Sequence, residues 1–484
     1  MNHRSCQVQS LQYIVSCFLF VAAAFANNPI PTVVGPPVPQ AVVPGSGEFT
    51  LRVYGANFVS GAVVNWNRSP RTTTFISARE LRAQILASDV AKPTAGYITV
   101  TNPPPGGGVS SGSYSLVEVH TPTATIAVGP PHAYRKDVGS FHLVLSDFNN
   151  DGNFDFAADY SFSEIKVFLG NGDGTFRPGP IATHNYYGAT SAAIATGDFN
   201  NDGKEDLAFG ADPNGPPTQL QVNLGNGDGT FRQGSRFGES QNNYPVAMAV
   251  GDFNGDGNLD LISLQYGSPT TSIFLGNGDG TFKHLLNYDL LGSYEVVLAD
   301  FNGDGKLDLA VLSSNGLYVQ LGNGDGTFQK PKRLVSSFNL GCSGQSLVVS
   351  DFDGDGKADL AYCERDQTNG KLWIALGNGD GTFKKPVFLP IASPQGAFTF
   401  AVGDFSSDGE TDLITNYNIS NTQTETDLYL GKGDGTFQHK KAVRLPGAPN
   451  YNAENGLVPA DLNSDGLLDF IFVEPGVVSV FVQK

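Results

Sequence analysis

Seven stretches of the sequence carry oxygen-bearing side chains at one set of offsets. Counted from its first aspartate, each stretch has Asp at position 1: Asp147, Asp198, Asp252, Asp300, Asp351, Asp404 and Asp461. Position 3 is Asn149, Asn200, Asn254, Asn302, Asp353, Ser406 or Asn463. Position 5 is Asp151, Asp202, Asp256, Asp304, Asp355, Asp408 or Asp465, and position 6 is glycine in all seven. Position 7 follows no residue type: Asn153, Lys204, Asn258, Lys306, Lys357, Glu410 and Leu467. Position 9 is aspartate again: Asp155, Asp206, Asp260, Asp308, Asp359, Asp412 and Asp469.

That pattern suits a hard cation. Ca²⁺ takes roughly six to eight oxygen ligands at about 2.3–2.6 Å. Side chains at 1, 3 and 5 converge if the chain turns sharply, and glycine at 6 permits the turn. A backbone carbonyl at 7 needs no particular side chain, which accounts for the variability there. The carboxylate at 9 closes the cage, so up to seven Ca²⁺ ions are predicted. No His or Cys recurs in the stretches, which argues against zinc and copper. An EF-hand needs Glu at position 12 and flanking helices. Position 12 here is Ala158, Phe209, Ser263, Val311, Tyr362, Thr415 or Phe472, which reads as strand interior. One stretch alone reads equally well as a solvated Asp/Asn/Gly turn; seven in register favour metal. The Ser406 stretch is the weakest, because a hydroxyl is a poorer ligand than an amide oxygen. Twenty-two of the 47 acidic residues fall at positions 1, 3, 5 and 9. Without a cation each loop holds three or four repelling carboxylates, so metal should contribute directly to folding.

The elements that position these loops follow from the spacing. Successive first aspartates lie 51, 54, 48, 51, 53 and 57 residues apart. A second signature, Gly-Asn-Gly-Asp-Gly-Thr-Phe, ends at Phe176, Phe231, Phe282, Phe328 and Phe383, and with Lys432 for Asn at Phe437. Its Asn-Gly and Asp-Gly pairs supply the positive φ of tight hairpins, and its aspartate, Asp173 for example, is assigned turn chemistry. In the third unit Tyr244, Val246, Met248 and Val250 alternate with smaller residues. The runs 259–264 and 272–275 then read as further strands, and Phe282 opens a fourth. Four strands in about fifty residues is the size of a β-propeller blade. The seventh unit ends after its third strand. Residues 123–128 are predicted to supply the fourth, which closes a ring and covers two free edges. The alternative is an open seven-unit solenoid.

Both signatures resemble FG-GAP (VCBS) repeats, those of the integrin α-subunit propeller and many exported bacterial proteins. The resemblance spans residues 121–484 and implies an all-β, seven-bladed β-propeller with Ca²⁺ in its inter-strand loops, serving adhesion or ligand binding. Related calcium propellers occur in some polysaccharide lyases. Integrin propellers bind metal in only some blades, whereas all seven loops here carry the ligand set. Residues 29–119 differ. The run from Phe49 to Trp66 and the later Gly96-Tyr-Ile-Thr-Val-Thr-Asn-Pro103 resemble an IPT/TIG domain, an immunoglobulin-like β-sandwich. Alternation at Phe49, Leu51 and Val53 and at Val63 and Asn65 supports strands. Gly55 and Gly61 suit bends, and Tyr114 to Val119 reads as the final strand. Such domains touch DNA in some transcription factors. In an exported acidic chain a spacer or presentation role fits better.

The whole chain agrees with this reading. It has 484 residues, a formal charge of −18, 59 glycines and 29 prolines, which fits short strands and tight turns. The acidic balance argues against a nucleic-acid surface, which wants clustered Lys and Arg. Residues 1–26 read as a secretory signal: an apolar stretch from Leu11 to Phe25, with Ala24 and Ala26 placing cleavage after Ala26. The stretch is too short for a comfortable membrane span. A lipoprotein box at Ile14–Cys17 is a rival, weakened by the apolar run that follows it. The mature chain is expected to be secreted or held at the cell surface, with no transmembrane segment. Cys342 and Cys363 remain in it, as one disulfide or as two buried small residues.

Strand order puts the metal loops and the Gly-rich turns on one face. The other face carries the irregular segments, including His184, Tyr186, Tyr187, 237–244, 365–370, 416–426, Asn450 and Tyr451. Loops on a rigid scaffold commonly hold binding function, so this face is predicted to bind a carbohydrate or an extracellular protein ligand. A polysaccharide-acting, lyase-like enzyme is the alternative and needs a base beside a charge-neutralising group. The six histidines left after cleavage follow no motif, and no nucleophile elbow, zinc-protease motif or phosphate loop appears. A purely structural surface module is the third reading.

Overall fold

The computed structural model describes residues 27–484 apart from 111–114, 124–125, 136–141, 162–163, 184–192, 212–217, 242–244, 266–269, 290–292, 314, 337–345, 366–369, 392–397, 421–422, 442–455 and 475–476. The signal segment and Cys342 therefore lie outside the described residues. All regular elements among the described residues are β-strands, and none of these residues forms a helix able to cross a membrane.

Residues up to Val119 form two sheets. One runs in the order Thr32–Val33, Phe49–Ala56, Glu80–Ile85, Thr73–Ser77. The other runs Ala41–Val42, Ser115–Val119, Thr94–Asn102, Val63–Trp66, Ser69–Pro70, with Gly108–Val109 paired to Thr94–Asn102. Side chains alternate across a strand, so each sheet turns one set inward. Leu51, Val53 and Leu81 from the first meet Val64, Trp66 and Val117 from the second in a single core. Gly61 makes a bend at φ 92°. Gly55 instead lies within a strand, where a Cβ would stand 2.1 Å from the Thr32 carbonyl oxygen; the glycine allows two backbones to meet.

The described residues of the rest of the chain form seven four-stranded antiparallel sheets. The first contains Leu143–Ser146, Asp155–Ser161, Glu164–Gly170 and Phe176–Thr183, paired in chain order. In every sheet the second strand opens at the position-9 aspartate, as in Asp260–Gln265 and Asp469–Glu474. Most of these strands are largely apolar on both faces; all of Asp308–Ser313 is buried. They have to be, because each sheet packs between two others. Leu220 and Val222 of the second sheet share a core with Leu261 of the third. Phe156 and Phe168 of the first share one with Ile471 and Val480 of the last.

One hydrogen bond repeats between neighbouring sheets. The last glycine of each Gly-rich turn donates to the position-2 carbonyl of the preceding sheet's aspartate loop. Gly229 reaches Phe148 at 3.0 Å, Gly280 reaches Phe199 at 3.0 Å, and Gly381 reaches Phe301 at 2.9 Å. Gly174 of the first sheet reaches Leu462 of the last at 3.3 Å. The seventh unit has no such turn, and the Gln483 side-chain amide takes the Phe405 carbonyl at 3.4 Å instead.

The last sheet corrects one expectation. Its fourth strand is His132–Arg135, not residues 123–128, and it pairs with Val477–Phe481 in the register His132 to Val480 and Arg135 to Val477. Pairing does begin where the spacing placed it, with a bridge between Val128 and Gln483. Gly129, Pro130 and Pro131 then interrupt the ladder, because proline has no N–H to donate. The chain re-enters at His132. Cys363 is buried and disulfide-bonded.

Candidate metal centres

Each aspartate stretch is the hairpin loop between the first and second strands of its sheet. Glycine at position 6 has φ between 77° and 94° in all seven, a region that a Cβ disfavours. The turn is closed by position 1. Asp147 Oδ1 accepts from Asp151 N at 3.1 Å and Oδ2 from Gly152 N at 2.9 Å. The same pair of bonds recurs at Asp198, Asp252, Asp300, Asp351, Asp404 and Asp461. Position 5 is brought beside position 3: Asn149, Asn200, Asn254 and Asn463 donate to Asp151, Asp202, Asp256 and Asp465 at 2.9–3.2 Å. At position 7 the backbone N–H is engaged, as Asn153 N on Asp151 and Leu467 N on Asp465, so the side chain is free to vary.

Position 9 has a task that the sequence alone did not show. Asp155 Oδ2 accepts from Phe148 N at 3.0 Å and Oδ1 from Gly170 N at 2.8 Å, which ties the loop to the end of the third strand. Asp206, Asp260, Asp308 and Asp359 repeat the arrangement. In the seventh unit Gln483 N stands where that glycine would be. In the sixth, Ser406 N donates to Asp412 in place of the position-2 amide, so this loop is built differently. All seven position-9 aspartates are 0% exposed. Burial pushes Asp155, Asp206, Asp308, Asp359 and Asp412 up to about 7, and Asp260 and Asp469 up to about 8. Burial likewise raises Asp252, Asp351 and Asp461 to about 6 and Asp404 to about 8. A cation among these groups is the change that would favour their ionised forms.

The fifth loop shows the fit most directly. Ligand oxygens of Asp351, Asp353 and Asp359 lie within 4.8 Å of one another. Asp353 Oδ1 is buried with no hydrogen-bond partner among the described residues. An all-oxygen, carboxylate-rich set of this kind fits Ca²⁺. Basic side chains reach the rims of several loops: Arg68 pairs with Asp147, and Lys384 Nζ lies 3.1 Å from Asp353. The aspartates of the Gly-rich turns behave differently. Asp173 Oδ1 accepts from Thr175 N at 2.9 Å and from its hydroxyl, which holds the carboxyl below its ordinary range. Turn chemistry describes them.

The two N-terminal sheets lie over this loop face, an arrangement with no signature in the sequence. Ile30 N donates to Asp252 Oδ2 at 2.9 Å, and Asn57 N to the Gly305 carbonyl at 2.8 Å. Arg79 reaches the Gly356 carbonyl and Tyr97 the Asp461 carbonyl. A Cβ at Gly305 would meet Ala78 at 2.3 Å, one at Gly356 would meet Tyr54 at 2.7 Å, and one at Gly466 would meet Thr94 at 2.5 Å. Position 6 therefore serves both the turn and the docking. Outside the loops, Asp427 Oδ2 accepts from Tyr417 Oη at 2.9 Å and lies 3.0 Å from His439 Nε2.

The description FG-GAP-like repeat matches the chain at residues 147–209, 198–263, 252–311, 300–362 and 351–415. No curated protein matches the sequence significantly. Among solved structures, an Agrocybe aegerita lectin that specifically recognises non-reducing terminal N-acetylglucosamine is similar at 18% identity, with 85% of this chain and 99% of that chain covered and a TM-score of 0.46. A protein from Lactobacillus plantarum is similar at 13% identity, over 80% and 97% of the chains, with a TM-score of 0.44. An auxiliary nutrient binding protein from Bacteroides ovatus is similar at 12% identity, over 94% and 98%, with a TM-score of 0.37. Likenesses this distant say nothing of what this chain binds.

Proposed function

Because the chain belongs to the FG-GAP-like repeat family, we propose that it is an exported, calcium-loaded seven-bladed β-propeller that acts as a non-enzymatic binding module for carbohydrate or an extracellular protein. Its N-terminal region is, on this reading, an immunoglobulin-like domain of the IPT/TIG kind. The observation that carries the proposal is the set of seven aspartate loops whose position-9 carboxylates are wholly buried. Groups so placed are stable in ionised form only beside a cation. Seven four-stranded sheets in sequence, with the last bonded to the first through Gly174 and Leu462, support a closed ring. Two sheets around one core support the sandwich. The leader-like residues 1–26 and the disulfide at Cys363 support export.

The N-terminal sheets occupy the metal face, so a ligand is left the opposite face, where second strands turn into third and one sheet connects to the next. Of the segments assigned to that face, Phe237 is buried and the Asn416 side chain donates to Thr426 at 2.8 Å; both hold the scaffold. His184, Tyr186, Tyr187, Asn450 and Tyr451 lie outside the described residues. The test is the mature chain on glycan and glycoprotein arrays, in calcium and in EDTA, beside polysaccharide turnover assays. Calcium-dependent capture without turnover supports the proposal. Turnover moves the assignment to a lyase-like enzyme, and neither result leaves a structural surface module. Elemental analysis showing essentially no bound calcium overturns the metal reading.

A further inference from the structure

The sixth loop is the one whose position 3 offers only a hydroxyl, Ser406, and the N-terminal domain places a carboxylate beside it. Glu118 lies in Ser115–Val119 and is 1% exposed. Its Oε2 accepts from the hydroxyl of Ser407, position 4 of this loop. Its Oε1 has no hydrogen-bond partner among the described residues. The charged groups that face it are Asp404, Asp461 and Asp412, every one of them acidic. The approach is fixed on both sides. Glu118 N donates to the Gln40 carbonyl at 2.8 Å, and the Gln40 side chain donates to Thr411, next to Asp412, at 3.0 Å. Thr123 N donates to the Ser406 carbonyl at 2.8 Å. Glu118 and Asp404 also line one cavity of about 600 Å³, which Val250, Val297, Val349 and Val402 line as well.

A buried carboxylate with a free oxygen, facing three other carboxylates among the described residues, calls for a cation. We propose that Glu118 is a ligand of the calcium ion in the sixth loop, supplied across the domain boundary in place of the missing position-3 amide, so that this ion clamps the N-terminal domain to the ring. The inference rests on the calcium reading above and extends it to a ligand that the repeat itself does not encode.

Calcium titration of the mature chain by calorimetry, with bound calcium counted by elemental analysis, tests it. Glu118→Gln should remove one ion or weaken one site at least tenfold while the others are unmoved. Ser406→Asp in that background should restore it. Asp404→Asn should lose the same ion, so that the double variant with Glu118→Gln loses one and not two. An unchanged titration of Glu118→Gln, or loss of two ions in the double variant, overturns the inference while leaving the calcium propeller intact. A wild-type chain that binds no calcium removes the underlying reading first. If Glu118→Gln fails to fold, Glu118→Asp is read instead: it keeps the charge but draws the oxygens back by one methylene. One weakened site is expected there, and an unchanged titration counts against the proposal.

Discussion

Two sets of aspartates within each repeat unit respond to opposite environments. Those in the Gly-rich turns are open to water and gain hydrogen bonds from threonine, which lowers their pKa. Those at position 9 are buried, and their carboxyls rise to about 7 or 8. Since a raised folded-state pKa means that the folded chain holds protons the unfolded chain has released, stability is complete below about pH 4 and falls as pH rises toward 8. In EDTA the melting temperature should therefore drop between pH 5 and pH 8. Saturating calcium, which binds the ionised carboxylates, should flatten or reverse that slope. Equal slopes with and without calcium would argue that no ion sits among these groups. Position 9 also bonds two backbone N–H groups, so Asp260→Asn should destabilise even without metal. The amide can accept only through one atom, and one buried donor loses its partner at a cost of about 1–3 kcal/mol. Urea melts in EDTA measure it; an effect seen only in calcium would make Asp260 a ligand alone. The recurrence of an aspartate at position 9 was legible from spacing. The tie to Gly276 was not, because it depends on where the third strand ends.

At the level of strands, the unit and its order could be read from period-2 alternation and two turn signatures. The missing strand of the last unit was legible as a deficit, and its partner segment was placed a few residues early. Spacing located the Val128 bridge, but the two prolines after it decide where the ladder resumes. Tyr134 on that strand packs edge-on against Phe156, Phe168 and Phe176, and its oxygen accepts from Phe176 N at 2.7 Å. It joins the first sheet to the last. Tyr134→Ala should lower stability by about 3 kcal/mol. Hydrogen exchange should show the loss concentrated in 477–481 and 155–170; a uniform change would mean that the seam is not a local weak point.

For the molecule as a whole, the docking of the N-terminal sheets onto the loop face was invisible in the sequence. The contacts join residues that are hundreds apart and repeat at no period. The glycines that admit them are already required by the turn. A spacer or presentation role was expected; beyond that, the region packs against the aspartate loops through hairpin tips such as Ala78 and Arg79. Arg79→Ala removes a charged donor from the Gly356 carbonyl and should weaken docking by about 1.5–3 kcal/mol. Limited proteolysis should then cut faster around residues 120–123 while the main melting transition of the ring stays in place. If cleavage does not change, the contact contributes little to docking.

The seam also has a mechanical meaning. The His132–Arg135 strand is antiparallel to Val477–Phe481, and its outermost pair, Val128 with Gln483, lies beside the chain's last residue. A pull between the N-terminal sheets and Lys484 thus reaches both strands from the same end. The load peels the pairs apart one after another, as a zipper does, where opposed ends would have made them resist together in shear. Tethered at one end and tugged at the other, the sheets are expected to part first at this seam.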